Sequence, residues 1–174
     1  MPRFTTCLAF TLKFEGGYVN HPNDRGGATN RGVTQVNYDA WRIQKGLPRN
    51  PVLGISGDEV EAIYRANYWN AVRADDIMAP LDLCVFDAAV QHGAGRAAKW
   101  LQRVVGAKQD GKIGAKTLTA LALLIERDGL EAVIGYYMEI RDEFYHDIVE
   151  RDPSQVVFAK GWENRMTALR DELV

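Results

Sequence analysis

Residues 4–18, FTTCLAFTLKFEGGY, set how the rest of the chain is read. Phe4, Cys7, Leu8, Thr11 and Leu12 recur at the three- and four-residue spacing that lines one face of a helix. Gly16 and Gly17 then stop that helix. Glu15 is thereby expected at a helix end, at the mouth of a loop. The negative end of the helix dipole and the flanking rings of Phe14 and Tyr18 disfavour a charged carboxylate there, the direction a general acid requires. The competing reading is a surface glutamate at a helix end.

The loop that follows is long. Residues 16–33 hold five glycines, three asparagines, one proline and Asp24. Ordered loops of that length are often functional. Glycosidases commonly use two carboxyl groups, one to protonate the leaving oxygen and one to activate water or offset the sugar cation. Folded back on the helix end, the loop brings Asp24 opposite Glu15; taken alone, Asp24 is an ordinary turn residue. Thr29 offers a hydroxyl for a catalytic water, or is a plain loop threonine.

Outward from this region, the helical pattern repeats. Thr34 caps a second helix with Val36, Ala40 and Ile43 on one face and Gly46 as its stop. Ser56-Gly57-Asp58-Glu59 is a capping box, and the helix after it carries Val60, Ile63, Tyr64, Asn67 and Tyr68 past Trp69. Pro80 opens an apolar, central helix that Gly93 and Gly95 break. Ala97 to Val105 form the next. Asp110-Gly111 is a turn. Helices follow over 115–127 and 130–150, and from Pro153 to the C-terminus, where Phe158, Trp162, Met166, Leu169 and Leu173 make an apolar stripe. No alternating run of useful length indicates a strand. The expected fold class is mainly α, with seven or eight helices and a long active-site loop.

Composition narrows the function classes. The chain has 174 residues, enough for one domain of ordinary size, and 47% of them are apolar. Its 21 basic and 23 acidic residues give a net charge of −2, with no basic run of the kind that nucleic acid or an acidic membrane attracts. Cys7 and Cys84 lie in apolar surroundings and read as core thiols. His21, His92 and His146 are far apart, without metal-ligand spacing. The N-terminal stretch is too short and too interrupted for a membrane span, and lacks a small-residue cleavage site after it.

The stretches Glu15-Gly16-Gly17-Tyr18-Val19-Asn20 and Asp24-Arg25-Gly26-Gly27-Ala28-Thr29-Asn30-Arg31-Gly32-Val33-Thr34 resemble the signature of glycoside hydrolase family 108. The resemblance implies a lysozyme-like helical fold. It implies an N-acetylmuramidase of phage endolysin or prophage type, cleaving the β-1,4 bond between N-acetylmuramic acid and N-acetylglucosamine. It also implies Glu15 as the acid and no cofactor. The Glu, Asp and Thr order is also similar to phage-type lysozymes. The Asp-to-Thr spacing there is one residue longer, which brings Asn30 and Thr34 forward beside Thr29.

In the second half, Leu101-Gln102, Asp110-Gly111, Gly114, Thr117 and Leu121 resemble a predicted peptidoglycan-binding region. Turn glycines and a helix start explain the same pattern as a helix-turn-helix staple. The implied organisation is a catalytic region over 1–94 and a wall-binding region over 95–174, packed as one compact unit. Asp87 and Gln91, four residues apart, and neighbouring His92 are candidates to bond acetamido groups; the alternative is a satisfied buried network. Tyr68, Trp69 and Asn70 are candidates to stack on and bond sugars, although helical spacing requires part of this aromatic set to be core. The expected partner is the peptidoglycan glycan strand. Synthesis in the cytoplasm without a cleavable signal, and action on the wall after release or export, complete the expectation. A lytic transglycosylase and a non-catalytic wall-binding or secretion-accessory protein are the rival readings.

Overall fold

The computed structural model describes residues 3–20 and 27–173. Asp24 and His21 lie outside the described residues. The described chain is mainly α, a lysozyme-like helical fold with one small hairpin, and it divides into two compact units over residues 1–71 and 72–174.

In the first unit, α1 (Arg3–Leu12) buries Phe4, Cys7, Leu8, Phe10 and Thr11. The helix ends earlier than its apolar pattern suggests. Lys13 and Phe14 donate to carbonyls three residues back, at 3.0 and 3.1 Å, a tightened last turn that places Glu15 just past the helix. β1 (Thr29–Asn30) and β2 (Val33–Thr34) form an antiparallel hairpin. Its two turn residues, Arg31 and Gly32, both have positive φ, 50° and 74°. That is the type I′ geometry whose twist suits a two-residue hairpin.

Thr34 caps α2 (Gln35–Gln44) by accepting from the Asn37 amide. The buried residue of α2 is Tyr38, not the Val36, Ala40 and Ile43 stripe, which is exposed. The reason is the Tyr38 hydroxyl, which reaches Glu59 at 2.7 Å while Arg42 reaches the same carboxylate at 2.6 Å. Glu59 is also the far half of the capping box with Ser56 that opens α3 (Gly57–Tyr64). Residues Arg65–Trp69 continue as a π turn, closed by the Asn70 amide on the Arg65 carbonyl at 2.9 Å. Phe4 of α1 meets Trp69 edge-on at 5.2 Å, under the Arg65 guanidinium at 4.7 Å.

The second unit is built on α4 (Leu81–His92), buried on all sides from Leu81 to Ala89. α5 (Ala94–Val104) and α7 (Leu130–Arg151) pack against it, α6 (Ala115–Asp128) packs on α7, and α8 (Val156–Asp171) returns along α7. Leu101, Leu121, Val133, Tyr137, Met166 and Leu169 fill the space between them. Among the described residues no helix is long and apolar enough to cross a membrane.

Cys7 and Cys84 are both free and buried. Burial pushes the Cys84 thiol up to about 12, so it is an inert core group.

Candidate active site

Glu15, half-buried, sits in the turn after α1. The hairpin reaches it through Gly32, at which an added Cβ would stand 2.9 Å from Glu15 Oε2 and 2.2 Å from the Tyr64 hydroxyl. Only a glycine admits this approach. The Tyr64 hydroxyl donates to the Arg31 carbonyl at 2.9 Å and so fastens the strained turn to α3. Tyr68 lies one turn on, its ring 5.4 Å from that of Tyr64. Burial first, and then the negative charge of Glu15, raise the Tyr68 hydroxyl above its ordinary pKa. A carboxyl, two phenols and a hairpin turn therefore converge within one unit. Tyr64 and Gly32 are the members that sequence reading did not single out. Their signals were the four-residue spacing of Tyr64 to Tyr68 and the glycine after Arg31.

The three hairpin candidates separate cleanly. Asn30 donates its amide to the carbonyls of Val52 and Leu53, both at 3.1 Å, and is a structural staple. Thr34 is the α2 cap. Thr29 holds backbone bonds to Val19 in both directions at 2.8 Å, and its hydroxyl has a long contact, 3.5 Å, to the Gly27 carbonyl. Its side chain projects from the opposite face of the strand to that of Asn30.

Among the aromatic and amide candidates, Tyr68 is half-buried beside Glu15 and Asn70 is exposed on the same turn. Trp69 is corrected to a core residue: it is 1% exposed and packed on Phe4, so its ring has no face for a sugar.

Asp87, Gln91 and His92 belong to one polar network in the second unit. The Asp87 carboxylate, fully buried, accepts from Arg141 of α7 at 2.9 Å and from Arg165 of α8 at 2.8 Å. Burial alone would raise its pKa; the two guanidiniums outweigh burial and hold the carboxyl below the usual range. Gln91 Oε1 accepts from Arg141 at 2.8 Å and from the Tyr145 hydroxyl at 2.9 Å. With its proton given to Gln91, that hydroxyl accepts from His92 Nε2 at 3.0 Å. The His92 ring is also edge-on to Trp100, Phe144 and Tyr145. Burial and then nearby Arg141 and Arg96 push His92 down to about 4 and keep it neutral. Asp87 is therefore corrected from glycan contact to structural ion, because its oxygens are enclosed and saturated.

Gln102 is the centre of a second staple. Its amide donates to Asp110 Oδ1 at 2.8 Å and to the Lys112 carbonyl at 3.0 Å, and its oxygen accepts from the Gly111 amide at 2.9 Å. Gly111, at φ 77°, leaves only 3.1 Å between an added Cβ and the Gly95 carbonyl. The Leu-Gln, Asp-Gly and Thr pattern thus folds the turn between α5 and α6.

Residues 8–93 match the sequence family described as Glycosyl hydrolase 108, and residues 96–167 match Predicted Peptidoglycan domain. A solved structure, that of Brucella abortus SagA, is 35% identical with a TM-score of 0.78, over 98% of this chain and 92% of the other. The chain belongs to the glycosyl hydrolase 108 family. No curated protein matches it. Family membership makes it a glycoside hydrolase that acts on peptidoglycan, with a peptidoglycan-binding region after the hydrolase segment. The hydrolase segment contains Glu15, the hairpin, Tyr64 and Tyr68, while α4 falls within that segment and packs in the second unit.

Proposed function

We propose that the chain is an N-acetylmuramidase that cleaves the β-1,4 bond from N-acetylmuramic acid to N-acetylglucosamine. Glu15 donates a proton to the glycosidic oxygen as the bond breaks and the sugar gains oxocarbenium character. Asp24 is the second carboxylate, which orients water or offsets the charge, and Thr29 helps to hold that water. Tyr68 and Asn70 contact the sugars from the π turn. The observation that carries this reading is the placement of Glu15 against Gly32, which also meets the Tyr64 hydroxyl, with the Glu15 charge felt at Tyr68. A carboxyl held by rigid neighbours at a loop mouth is poised to meet a substrate in one orientation. The same reading makes the chain an endolysin of phage or prophage type, made in the cytoplasm and reaching the wall after release through a holin. Its export from cells lacking any holin would remove that route.

The test is digestion of purified peptidoglycan by the wild type and by Glu15→Gln, with products weighed by mass spectrometry. Reducing-end muramic acid from the wild type, lost in the variant, is the expected result. Anhydro-sugar products would make the enzyme a lytic transglycosylase. Undiminished turnover by Glu15→Gln would remove Glu15 from the mechanism.

A further inference from the structure

We propose that the groove between α7 and α8 is a saccharide site that holds a sugar ring of the glycan strand. The proposal rests on the reading of this chain as a wall hydrolase and gives its peptidoglycan-binding region a place to bind. The groove encloses a cavity of about 440 Å³, within the range of small-ligand clefts. Trp162 lies nearly flat on Tyr145, with ring centroids 5.0 Å apart and planes 19° apart. The Tyr145 hydroxyl is turned inward to Gln91 and His92, and its buried ring backs that of Trp162, the half-exposed aromatic of the lining.

The polar lining selects among ligand classes. Arg170 of α8 is paired with Asp142 of α7, so the guanidinium is already engaged. Two carboxylates, Asp142 and Glu163, share the lining with that one guanidinium, a balance that disfavours an anion. Glu163 and His146 add an acceptor and a second polar group to the same lining. Rings together with carboxylate acceptors suit a pyranose, whose C–H face packs on an aromatic while its hydroxyls donate to oxygen. Phe158, 55% exposed, stands one turn before Trp162 with its ring 6.2 Å away, and extends the aromatic surface along α8. The apolar stripe of α8 is thus buried at Met166 and Leu169 but open at Phe158.

The test uses the full chain carrying Glu15→Gln, so that binding is read without turnover. Co-sedimentation with peptidoglycan, intact or stripped of stem peptides, is compared for this parent and for added Trp162→Ala, Glu163→Gln or Ala159→Trp. The last fills the groove without removing packing, and thermal unfolding of each variant checks the fold. The expected result is retention of the parent on stripped glycan, weakened about tenfold or more in the variants, the size of a lost aromatic anchor. Binding that disappears when the stem peptides are removed would overturn the saccharide assignment. Parent-like binding by all three folded variants would overturn the groove while the wall-binding reading stands. A folded parent that fails to sediment with any wall preparation would overturn both.

Discussion

Gly32 lies so close to the Tyr64 hydroxyl that a Cβ on Gly32 would stand 2.2 Å from that oxygen. Glu15 is the third party to this approach, at 2.9 Å, and the ring of Tyr64 is buried and has little room to retreat. Gly32→Ala is therefore expected to destabilise by roughly 2–4 kcal/mol, from left-handed strain together with overpacking. Displacement of the Glu15 carboxyl should also lower peptidoglycan turnover on the order of 100-fold. Thermal unfolding and a turbidity assay read the two effects. Wild-type turnover from Gly32→Ala would show that the carboxyl does not depend on this approach.

Arg31 occupies the first position of the same turn at φ 50°, a conformation unfavourable to most side chains but tolerated by asparagine. Its side chain is exposed, so replacing it removes little packing. Arg31→Asn should stabilise the protein by about 0.5–1 kcal/mol. A chemical-denaturation midpoint that moves down would contradict this account.

Asp87 faces two buried guanidiniums, and removing its charge takes from both the carboxylate they share. Asp87→Asn should cost about 3–5 kcal/mol. The exposed pair of Arg151 with Asp147, at 3.2 Å, provides the contrast: Asp147→Asn should stay within about 0.5 kcal/mol. Similar losses in unfolding free energy for the two variants would refute the distinction.

Acid should unfold this chain in two stages. His92 is held neutral down to about 4, whereas an unfolded histidine takes up its proton near 6.5. The unfolded state therefore binds more protons between those values, and stability falls as pH drops through that window. Asp87 has a lowered carboxyl pKa, so its contribution is complete above the unfolded value of 3.8 and is lost below it. Urea midpoints from pH 7 to 3 should decline throughout, and His92→Phe should flatten the upper window. An unchanged slope in that variant would assign the upper stage to other groups.

Gln102 bonds three elements of the turn between α5 and α6 through one amide. Gln102→Glu replaces two donor hydrogens with a charge facing the Asp110 carboxylate and the Lys112 carbonyl. A loss of roughly 1–3 kcal/mol is expected, with faster hydrogen exchange at the Gly111 amide. Exchange as slow as in the wild type would mean that the turn holds without this side chain.

The helices were legible because their signals are local. The Ser56 and Glu59 capping box and the Thr34 cap appear where their residue types placed them. The hairpin was not legible: strands of two residues hold no alternating pattern, and Arg31-Gly32 is not the usual Asn-Gly turn. The exposed face of α2 misled for a different reason. A single tyrosine with two charged partners, Glu59 and Arg42, outweighed three aliphatic side chains. The position of Glu15 at a helix end was readable from its neighbours in sequence. That Trp69 turns inward and Tyr68 stays near the carboxyl follows from tertiary contacts with Phe4 and Glu15, which lie more than fifty positions away. The polar residues of α4 were readable as a network or a groove; partners on α7 and α8 decided for the network.

The position of α4 bears on how enzymes of this kind are recombined. A designer who swaps wall-binding halves at residue 94, where the two sequence matches separate, would take α5 and α7 away from the helix they enclose and expose its apolar flanks. A joint at residues 71 and 72 keeps Asp87 with both of its arginines. The unit of exchange in such chimaeras is then the packed body rather than the homologous segment, and hydrolase libraries cut by alignment alone would pass over the joint between the two bodies.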